Sequence, residues 1–287
     1  MIENPLFSVM IANYNDAAFI NDALSSIEMQ TYRNYEVVIV DDGSTDNSRE
    51  ILASLLNRPN TRIFFNDANY GCGYTKAKCI SLAKGELCGF LDSDDALTEN
   101  ALEVMVRTHQ QYPEASIVYS KYYYCNKDLL PIYISSHQQS IPEGSSFLQF
   151  KRGAISQFAT FKKELYNRTS GINKELRVAE DLDNYYKLEE VGSTIFINEP
   201  LYYYRNNTGN NTSTNKNVIN AVSHEIIAKT DACHRRGLDT RTEASMIEEI
   251  IQTTSNYLLS HSRQYKLGNC IMHPKELIKI IKSHIRK

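Results

Sequence analysis

The chain has 287 residues, of which 42% are hydrophobic and 23% are charged, and its formal net charge at pH 7 is −3. This composition is typical of a globular protein with one large domain, or one domain and a smaller appendage. The small net charge gives no reason to expect a nucleic-acid partner, and no apolar run approaches the roughly 20 residues that a membrane-spanning helix needs.

Six cysteines are scattered along the chain without the close pairs of a zinc site or a secreted disulfide framework. The first residues also lack a basic segment followed by a long apolar run, which is the pattern of a signal peptide. We therefore expect reduced cysteines and a cytoplasmic protein.

Apolar runs and helical periodicity alternate in the first part of the chain. Strands are predicted at residues 7–12, 36–40, 62–65 and 87–91. Amphipathic helices are predicted at residues 19–27, 51–56 and 77–83, with Asn15 or Asp16 placed to cap the first of them. Alternating strands and helices predict an α/β fold, with a mostly parallel central sheet flanked by helices.

The pattern is less regular after residue 100. It predicts helices at 102–106, 145–150 and 180–191, and strands at 115–119, 158–161, 194–197 and 201–204. The tyrosine-rich residues 121–141 predict antiparallel strands or loops. Helical periodicity beyond residue 218 predicts a helical appendage, so we divide the chain into a domain of residues 1–215 and a C-terminal helical region of residues 216–287.

Three carboxylates, Asp92, Asp94 and Asp95, follow the fourth predicted strand, and Ser93 lies between the first two. Acids at the carboxyl end of a buried parallel strand lie where open α/β sheets bind ligands. Carboxylates this close repel one another unless a cation such as Mg²⁺ or Mn²⁺ holds them. A solvated turn that caps the next helix explains the same residues equally well, so these residues alone leave both interpretations open.

Eight short motifs occur in the order in which they occur in family-2 glycosyltransferases of the GT-A fold, which the chain resembles. They are residues 8–15, 30–32, 40–46, 69–71, 83–86, 90–95, 180–181 and 204–205. Each motif alone is weak, but together they fall at predicted strand ends and cover about residues 6 to 206. The resemblance does not extend to the C-terminal helices.

The resemblance implies an inverting, metal-dependent transfer of a sugar from a nucleotide diphosphate, with UDP as the expected nucleotide, to an acceptor hydroxyl. It places the nucleotide on residues 1–120 and the acceptor on residues 121–215. The base would contact Ala12, Tyr14 and Asp42, whereas Asp41 would support the turn. Plain packing of Tyr14 is the alternative for that residue.

In the family's DxD motif, Asp94 would ligate Mn²⁺ or Mg²⁺. Asp92 would reach the ribose, or the metal through water, and we count Ser93 with the donor-binding residues. Asp95 is expected to cap the following helix.

Two basic residues are candidates for the diphosphate. Lys76 stands where the family usually has arginine, so a positive charge is kept but the planar fork of guanidinium is lost. Arg205 follows the last predicted strand, in a region that folds over the donor in similar enzymes. The polar residues 206–217 after it are a lid or a plain linker, and the sequence leaves both open.

Glu180 and Asp181 match the acidic pair that lies across the sugar from the leaving phosphate in the family. Inverting transfer needs a general base for the acceptor hydroxyl. The resemblance implies Asp181 as that base, with Glu180 as the alternative. Without the other motifs, two acids at a helix N-terminus would be an ordinary stabilising feature.

The expected partners are a nucleotide-sugar donor and a saccharide or lipid-linked acceptor of surface polysaccharide synthesis. Residues 273–287 carry five lysines and arginines among apolar residues, so this tail either contacts the inner face of an anionic membrane or packs on neighbouring helices.

Two other functions stay open. The Lys76 departure leaves room for a non-catalytic scaffold that binds nucleotide sugars, but the intact Asp92, Asp94 and Asp181 argue against it. A nucleotidyltransferase would be expected to carry a basic, Gly-rich loop after the first strand, where this chain has residues 12–16 instead.

Overall fold

The structure is a computed structural model that describes residues 4–150, 153–206 and 215–261. The chain forms two compact units, residues 1–210 and 211–287. The predicted domain boundary at residue 215 stays a prediction. Most of the proposed lid (207–214) and the basic tail (273–287) lie outside the described residues, and the predictions for them stay open.

The first half of unit 1 alternates strands with helices, as predicted. Its strands are β1 (Phe7–Asn13), β2 (Tyr35–Asp41), β3 (Thr61–Phe65) and β4 (Leu87–Phe90). Its helices are α1 (Ile20–Glu28), α2 (Ser48–Ser54) and α3 (Cys72–Leu82). The strands pair in parallel in the order β3-β2-β1-β4. Apolar side chains cover both faces of β1 and β2, which is why these strands are continuous apolar runs.

The second half of unit 1 extends the same sheet. Its strands are β5 (Ala96–Leu97), β6 (Ala115–Cys125), β7 (Pro131–Ile134), β8 (Ala159–Lys162) and β9 (Ser193–Arg205). Its helices are α4 (Ala101–Gln111), α5 (Lys163–Tyr166) and α6 (Glu180–Glu189). The order is β3-β2-β1-β4-β8-β6-β9-β5, with β7 paired to β6.

Within the described chain, only β5, β7 and β8 run against the direction of the other six strands. The sheet is therefore mixed but mostly parallel, and the predicted α/β fold class is confirmed. The predicted helical C-terminal part is also present, as α7 (Asn215–Arg235) and α8 (Thr240–His261). Val222 and Ile226 of α7 pack with Ile250 and Ile251 of α8 in a small core of their own.

Three local predictions in unit 1 were wrong. Residues 145–150 form turns instead of a helix, because the Glu189 carboxylate accepts hydrogen bonds from Ser146 Oγ and Phe147 N and fixes a non-helical path. The strands predicted at 194–197 and 201–204 are one strand, β9, in which Pro200 lies at a register shift where a missing N–H is tolerated. The strand β5 was missed because two residues carry no readable periodicity.

The carboxyl ends of β1, β2 and β4 meet at one edge of the sheet, since Asn13 pairs with Asp41 and Met10 with Phe90. The turn after β2 is held by Asp41, which accepts hydrogen bonds from Asn13 Nδ2 and from Ser44. Gly43 in this turn has φ +71°, and a Cβ there would lie 2.5 Å from the carbonyl carbon of Ala68. Glycine therefore lets this turn touch the loop that precedes α3.

None of the helices in the described part of the chain combines the length and the apolar character that a membrane crossing requires. Five cysteines lie in the described part of the chain, and none of them forms a disulfide. They are Cys72, Cys79, Cys88, Cys125 and Cys233.

Candidate active site

A pocket of about 250 Å³ opens at the carboxyl edge of the sheet, between the end of β1 and the start of α3. Its lining includes Ala12, Tyr14, Asp42, Asn69, Thr75 and Arg177. The three residues predicted to contact a base, Ala12, Tyr14 and Asp42, therefore share one cavity. Tyr14 is 42% exposed, and both its contact with a base and the packing alternative stay open.

Asp42 also holds the loop that forms one wall of this pocket. Its carboxylate accepts hydrogen bonds from Asn66 Nδ2 at 2.8 Å, Tyr70 N at 3.0 Å and Gly71 N at 2.8 Å. A carboxylate has about four lone-pair positions, so these three bonds leave capacity for one more donor. The contact of Asp42 with a base stays a prediction, and the structure adds a positioning role.

Arg177 is a pocket residue that the sequence analysis missed. It lies more than 100 residues from the loop it faces, and its Nη1 donates to Asn69 Oδ1 at 3.3 Å. A Cβ at Gly71, where φ is +96°, would lie 2.9 Å from Arg177 Cγ. Glycine at position 71 thus admits the arginine, and neither residue carries a local signal that could have revealed this contact.

The acid cluster after β4 contains a fourth carboxylate, Asp16. Ser93 is buried and its hydroxyl donates to Asp16 Oδ2 at 2.6 Å. The donor contact of Ser93 stays a prediction, and in this structure its hydroxyl positions Asp16. The predicted side-chain cap of α1 is wrong, since Asn15 Oδ1 accepts from Thr45 N instead and Asp16 faces the cluster.

Burial raises the pKa of Asp94 to about 7, and the neighbouring carboxylates of Asp92 and Asp16 add to the rise. Burial is also the main cause of the raised pKa of Asp16. Asp92 has 38% of its side chain exposed, and Asp16 and Asp94 are half-buried. The raised pKa values show that full negative charge in this cluster is costly without a cation, so a divalent cation would suit the site.

Among the described residues, no group of three or more His, Cys, Asp or Glu side chains is arranged to hold a metal ion. A Mg²⁺ or Mn²⁺ ion at a diphosphate needs only one or two carboxylates, because phosphate oxygens and water complete its coordination. Asp92 and Asp94 fit that kind of shared site, in which the oxygen ligands are of the right type and the excess negative charge is local.

Asp95 does not cap the following helix, so that prediction was wrong. Its buried carboxylate accepts from Tyr202 Oη at 2.7 Å and from Arg205 N at 2.7 Å. The flanking position of α4 is Asn100. Tyr202 and Arg205 of β9 thus donate to the carboxylate that the local sequence pattern had assigned to the start of the helix.

Arg205 is buried, and each of its guanidinium nitrogens is engaged by protein. Nη2 pairs with Asp22 at 2.6 Å, Nε donates to the Asp94 carbonyl at 2.5 Å and Nη1 donates to the Lys127 carbonyl at 2.5 Å. The phosphate contact stays a prediction, and the structure adds a role for Arg205, which holds the backbone of Asp94 in place.

Lys76 bridges the acid cluster and the acidic pair at the start of α6. Its Nζ lies 2.8 Å from Glu180 Oε1 and 3.8 Å from Asp92 Oδ1, and its side chain is only 12% exposed. Burial alone would lower the pKa of Lys76, but Cys72, Glu180 and Asp92 outweigh it and raise the pKa well above its usual value. We therefore expect Lys76 to be charged at neutral pH.

Glu180 and Asp181 have different environments although they are neighbours. Burial favours the neutral form of Glu180, but Lys76 outweighs burial and holds its pKa below the usual value. Burial raises the pKa of Asp181 to about 6, and the charge of Glu180 adds to the rise. Glu180 is thus a charged ion-pair partner, whereas the pKa of Asp181 lies close to neutral pH.

Asp181 faces a small cavity of about 30 Å³, whose lining also includes Lys76, Asp92, Asn184 and Tyr185. One of its oxygens accepts from Leu182 N at 2.8 Å. Ala179, directly before the pair, has the left-handed φ of 62°, which costs free energy in a non-glycine residue and turns the chain sharply into α6. This geometry separates the two acids, with Glu180 towards α3 and Asp181 towards the cavity.

Comparison with known proteins identifies the family of this chain. A family model described as Glycosyl transferase family 2 matches residues 8–170. Glycosyltransferase GlyG of Streptococcus pneumoniae serotype 4 is 28% identical over 286 residues, covering 91% of this chain and 93% of that protein. Hyaluronan synthase of Pasteurella multocida is 31% identical over 241 residues, covering 82% of this chain but only 24% of the synthase.

A solved structure supports the same fold. Residues 1–349 of S. aureus TarS in complex with UDP-GlcNAc superpose with a TM-score of 0.69, at 20% identity, covering 95% of this chain and 78% of that one. At this identity the likeness shows the fold alone, and it agrees with the predicted GT-A architecture.

Proposed function

Since the chain belongs to glycosyl transferase family 2, we propose that it transfers a sugar from a UDP-sugar to an acceptor hydroxyl, with inversion at the anomeric carbon. The acceptor would be a saccharide or a lipid-linked saccharide of surface polysaccharide synthesis. TarS, which shares the fold, was crystallised with UDP-GlcNAc, and the hyaluronan synthase relative is named for a polysaccharide product.

The observation that carries the proposal is the position of Lys76, which lies between two acidic sites with different electrostatic environments. On one side, Lys76 lies 3.8 Å from Asp92 of the acid cluster. On the other side, Asp181 faces the same cavity as Lys76 and Asp92, with its pKa raised to about 6. A sugar held between Asp92 and Asp181 would have its leaving group on one face and a base on the other.

In the proposed reaction, the acceptor oxygen attacks the anomeric carbon and forms the new glycosidic bond. Asp181 takes the proton of the acceptor hydroxyl, while the bond to the diphosphate breaks and its electron pair leaves with the phosphate oxygen. Lys76 supplies positive charge beside the departing diphosphate, and Glu180 keeps Lys76 charged and in place. A general base whose pKa is near the working pH is well suited to this proton transfer.

Asp92 and Asp94 are the residues that would hold Mn²⁺ or Mg²⁺, and either ion, when bound, supplies positive charge that neutralises the diphosphate. Asp16 and Arg205 would support this site from behind. Asp16 is hydrogen-bonded to Ser93, and Arg205 donates to the Asp94 carbonyl.

Thermal unfolding with nucleotides tests the donor and metal part of the proposal. We expect UDP with Mn²⁺ to raise the Tm by about 5–10 °C at roughly 100 times Kd, because a ligand that binds only the native state stabilises it by mass action. The shift should be lost in Asp94→Ala and kept in Asp128→Ala, which removes an exposed acid. A shift with another nucleotide but not with UDP would contradict the donor assignment, and no shift with any nucleotide would contradict the transferase.

A further inference from the structure

Four tyrosine rings form a continuous strip on one face of the β6, β7 and β9 strands. The members of this tyrosine strip are Tyr204, Tyr122, Tyr124 and Tyr133. Ring centroids are 5.4 Å apart for Tyr122 and Tyr204, 5.9 Å for Tyr124 and Tyr204, and 4.8 Å for Tyr124 and Tyr133. The last two rings are stacked, with an interplanar angle of 13°.

Strand register explains why these rings line up. Tyr124 is paired with Tyr204 of β9 on one side and with Tyr133 of β7 on the other. Tyr122 lies two residues from Tyr124 on the same strand, so both side chains point to the same face. The strip is therefore fixed by backbone pairing rather than by flexible loops.

The inner end of the strip lies beside the acid cluster. Tyr204 follows Tyr202 by two residues on β9 and directly precedes Arg205. The Tyr202 hydroxyl donates to Asp95, and Arg205 Nε donates to the Asp94 carbonyl. Burial raises the pKa of Tyr204, and the charges of Asp95, Asp92 and Asp94 add to the rise, which agrees with this proximity.

The outer end of the strip reaches solvent. Tyr133 is 53% exposed, and β7 is exposed along its whole length. The hydroxyls of Tyr124, Tyr133 and Tyr204 make no hydrogen bond with the described part of the chain. Neighbouring rings pack against one another, so the strip presents ring edges and hydroxyl groups along its length. The outward face of Tyr133 is available at its exposed end.

This combination fits a carbohydrate better than an apolar partner. A pyranose ring has an apolar C–H face, which packs on an aromatic ring, and a rim of hydroxyls, which can bond to tyrosine hydroxyls. One sugar could therefore stack on the outward face of Tyr133, while further sugars bond to the hydroxyls along the strip. Ile132 and Ile134, on the opposite face of β7, are also exposed but provide no polar groups.

We propose that the tyrosine strip is a binding subsite for a saccharide chain, which it holds with its growing end directed towards the acid cluster. This inference deepens the proposed function and rests on it, because it makes the acceptor an oligosaccharide that is longer than the single sugar at the reacting centre. The subsite would favour long acceptors over monosaccharides.

Saturation-transfer NMR tests the subsite with three defined probes: cellohexaose, a chondroitin hexasaccharide and glucose. We expect at least one hexasaccharide to bind the wild-type chain, with glucose much weaker. Tyr133→Ala should weaken that binding by about fivefold to tenfold, whereas Tyr133→Phe, which keeps the ring, should retain most of it. Ile132→Ala is the matched control on the same exposed strand and should leave the affinity unchanged.

The UDP and Mn²⁺ thermal shift, measured on the same variants, keeps this test separate from the proposed function. If saccharide binding depends on Tyr133 but no nucleotide gives a shift, the transferase proposal fails and the subsite stands. The subsite is overturned if neither hexasaccharide binds, or if Tyr133→Ala and Ile132→Ala affect binding equally. It is also overturned if sedimentation shows that Tyr133→Ala abolishes self-association while saccharide binding is unchanged.

Discussion

Replacing Asp181 with asparagine is expected to lower the rate of sugar transfer by about 10²–10⁴-fold, the usual contribution of a general base. Asparagine has nearly the same shape but cannot take the proton of the acceptor hydroxyl. The pair Lys76–Glu180 and the nucleotide pocket are untouched by this change, so the affinity for UDP should stay within about twofold. Release of UDP at saturating donor measures the rate, and calorimetry measures the affinity.

Glu175→Gln is the control, because it removes an exposed carboxylate shortly before α6 and should keep full activity. A fall in activity of less than about tenfold in Asp181→Asn would assign the base elsewhere. Glu180→Gln would then become the variant to measure, since Glu180 is the other acid of the pair.

The pH dependence provides a second readout of the same residue. Asp181 acts as a base only when it is ionised, and its pKa is raised to about 6. At saturating donor, the wild-type rate should therefore be constant above pH 7 and fall to about a tenth at pH 5.

The contribution of Asp181 to stability should change with pH in the direction opposite to the rate, and decrease as the pH rises. A carboxyl whose pKa is raised on folding contributes stability below its unfolded pKa, and this contribution is lost as the pH rises through about 6. Asp181→Asn should therefore unfold at the same temperature as the wild type, or a higher one, at pH 8. A lower Tm would mean that the loss of activity reflects damage to the fold.

Replacing Lys76 with methionine is expected to lower the free energy of unfolding by about 3–5 kcal/mol at neutral pH, because it leaves a buried carboxylate without its partner. Glu180 is only 7% exposed and lies 2.8 Å from Lys76 Nζ. In a unit of this size the Tm should fall on the order of 10 °C. Urea or thermal unfolding of the full chain measures the effect.

A double-mutant cycle identifies the cause of this loss. Lys76→Met combined with Glu180→Gln should recover more than half of the lost stability, since the unpaired buried charge is then removed as well. Lys84→Met, which changes an exposed lysine, should alter stability by less than about 0.5 kcal/mol. A double variant less stable than Lys76→Met alone would show that the ion pair is not the source of the stability.

The sequence was informative wherever a short apolar run ended in polar residues. The runs before Asp42 and Asp92 have the length and composition of buried parallel strands, so both acids could be placed at one edge of the sheet. The two environments of Glu180 and Asp181 could not be predicted. The difference depends on Lys76, which precedes them by more than 100 residues and meets them only in the folded chain.

The two wrong predictions of helix caps have a common physical cause. Asp95 and Asp16 were interpreted through local patterns. In the fold, each side chain is bound by a partner distant in sequence: Asp95 by Tyr202 and Asp16 by Ser93. A buried polar group needs a hydrogen-bond partner. Here that partner comes from a distant part of the chain and not from the adjacent helix.

The most direct test of the central claim is the anomeric form of the sugar that the protein first releases. Wild-type protein with Mn²⁺ would be incubated with α-linked UDP-GlcNAc, UDP-glucose, UDP-galactose and UDP-glucuronic acid, and proton NMR would follow each reaction before mutarotation. We predict that one donor yields UDP together with the β anomer, through attack by water in place of the acceptor, and that Asp181→Asn yields neither. Initial release of the α anomer, or no release of UDP from any donor, would contradict an inverting transferase that uses Asp181 as its base.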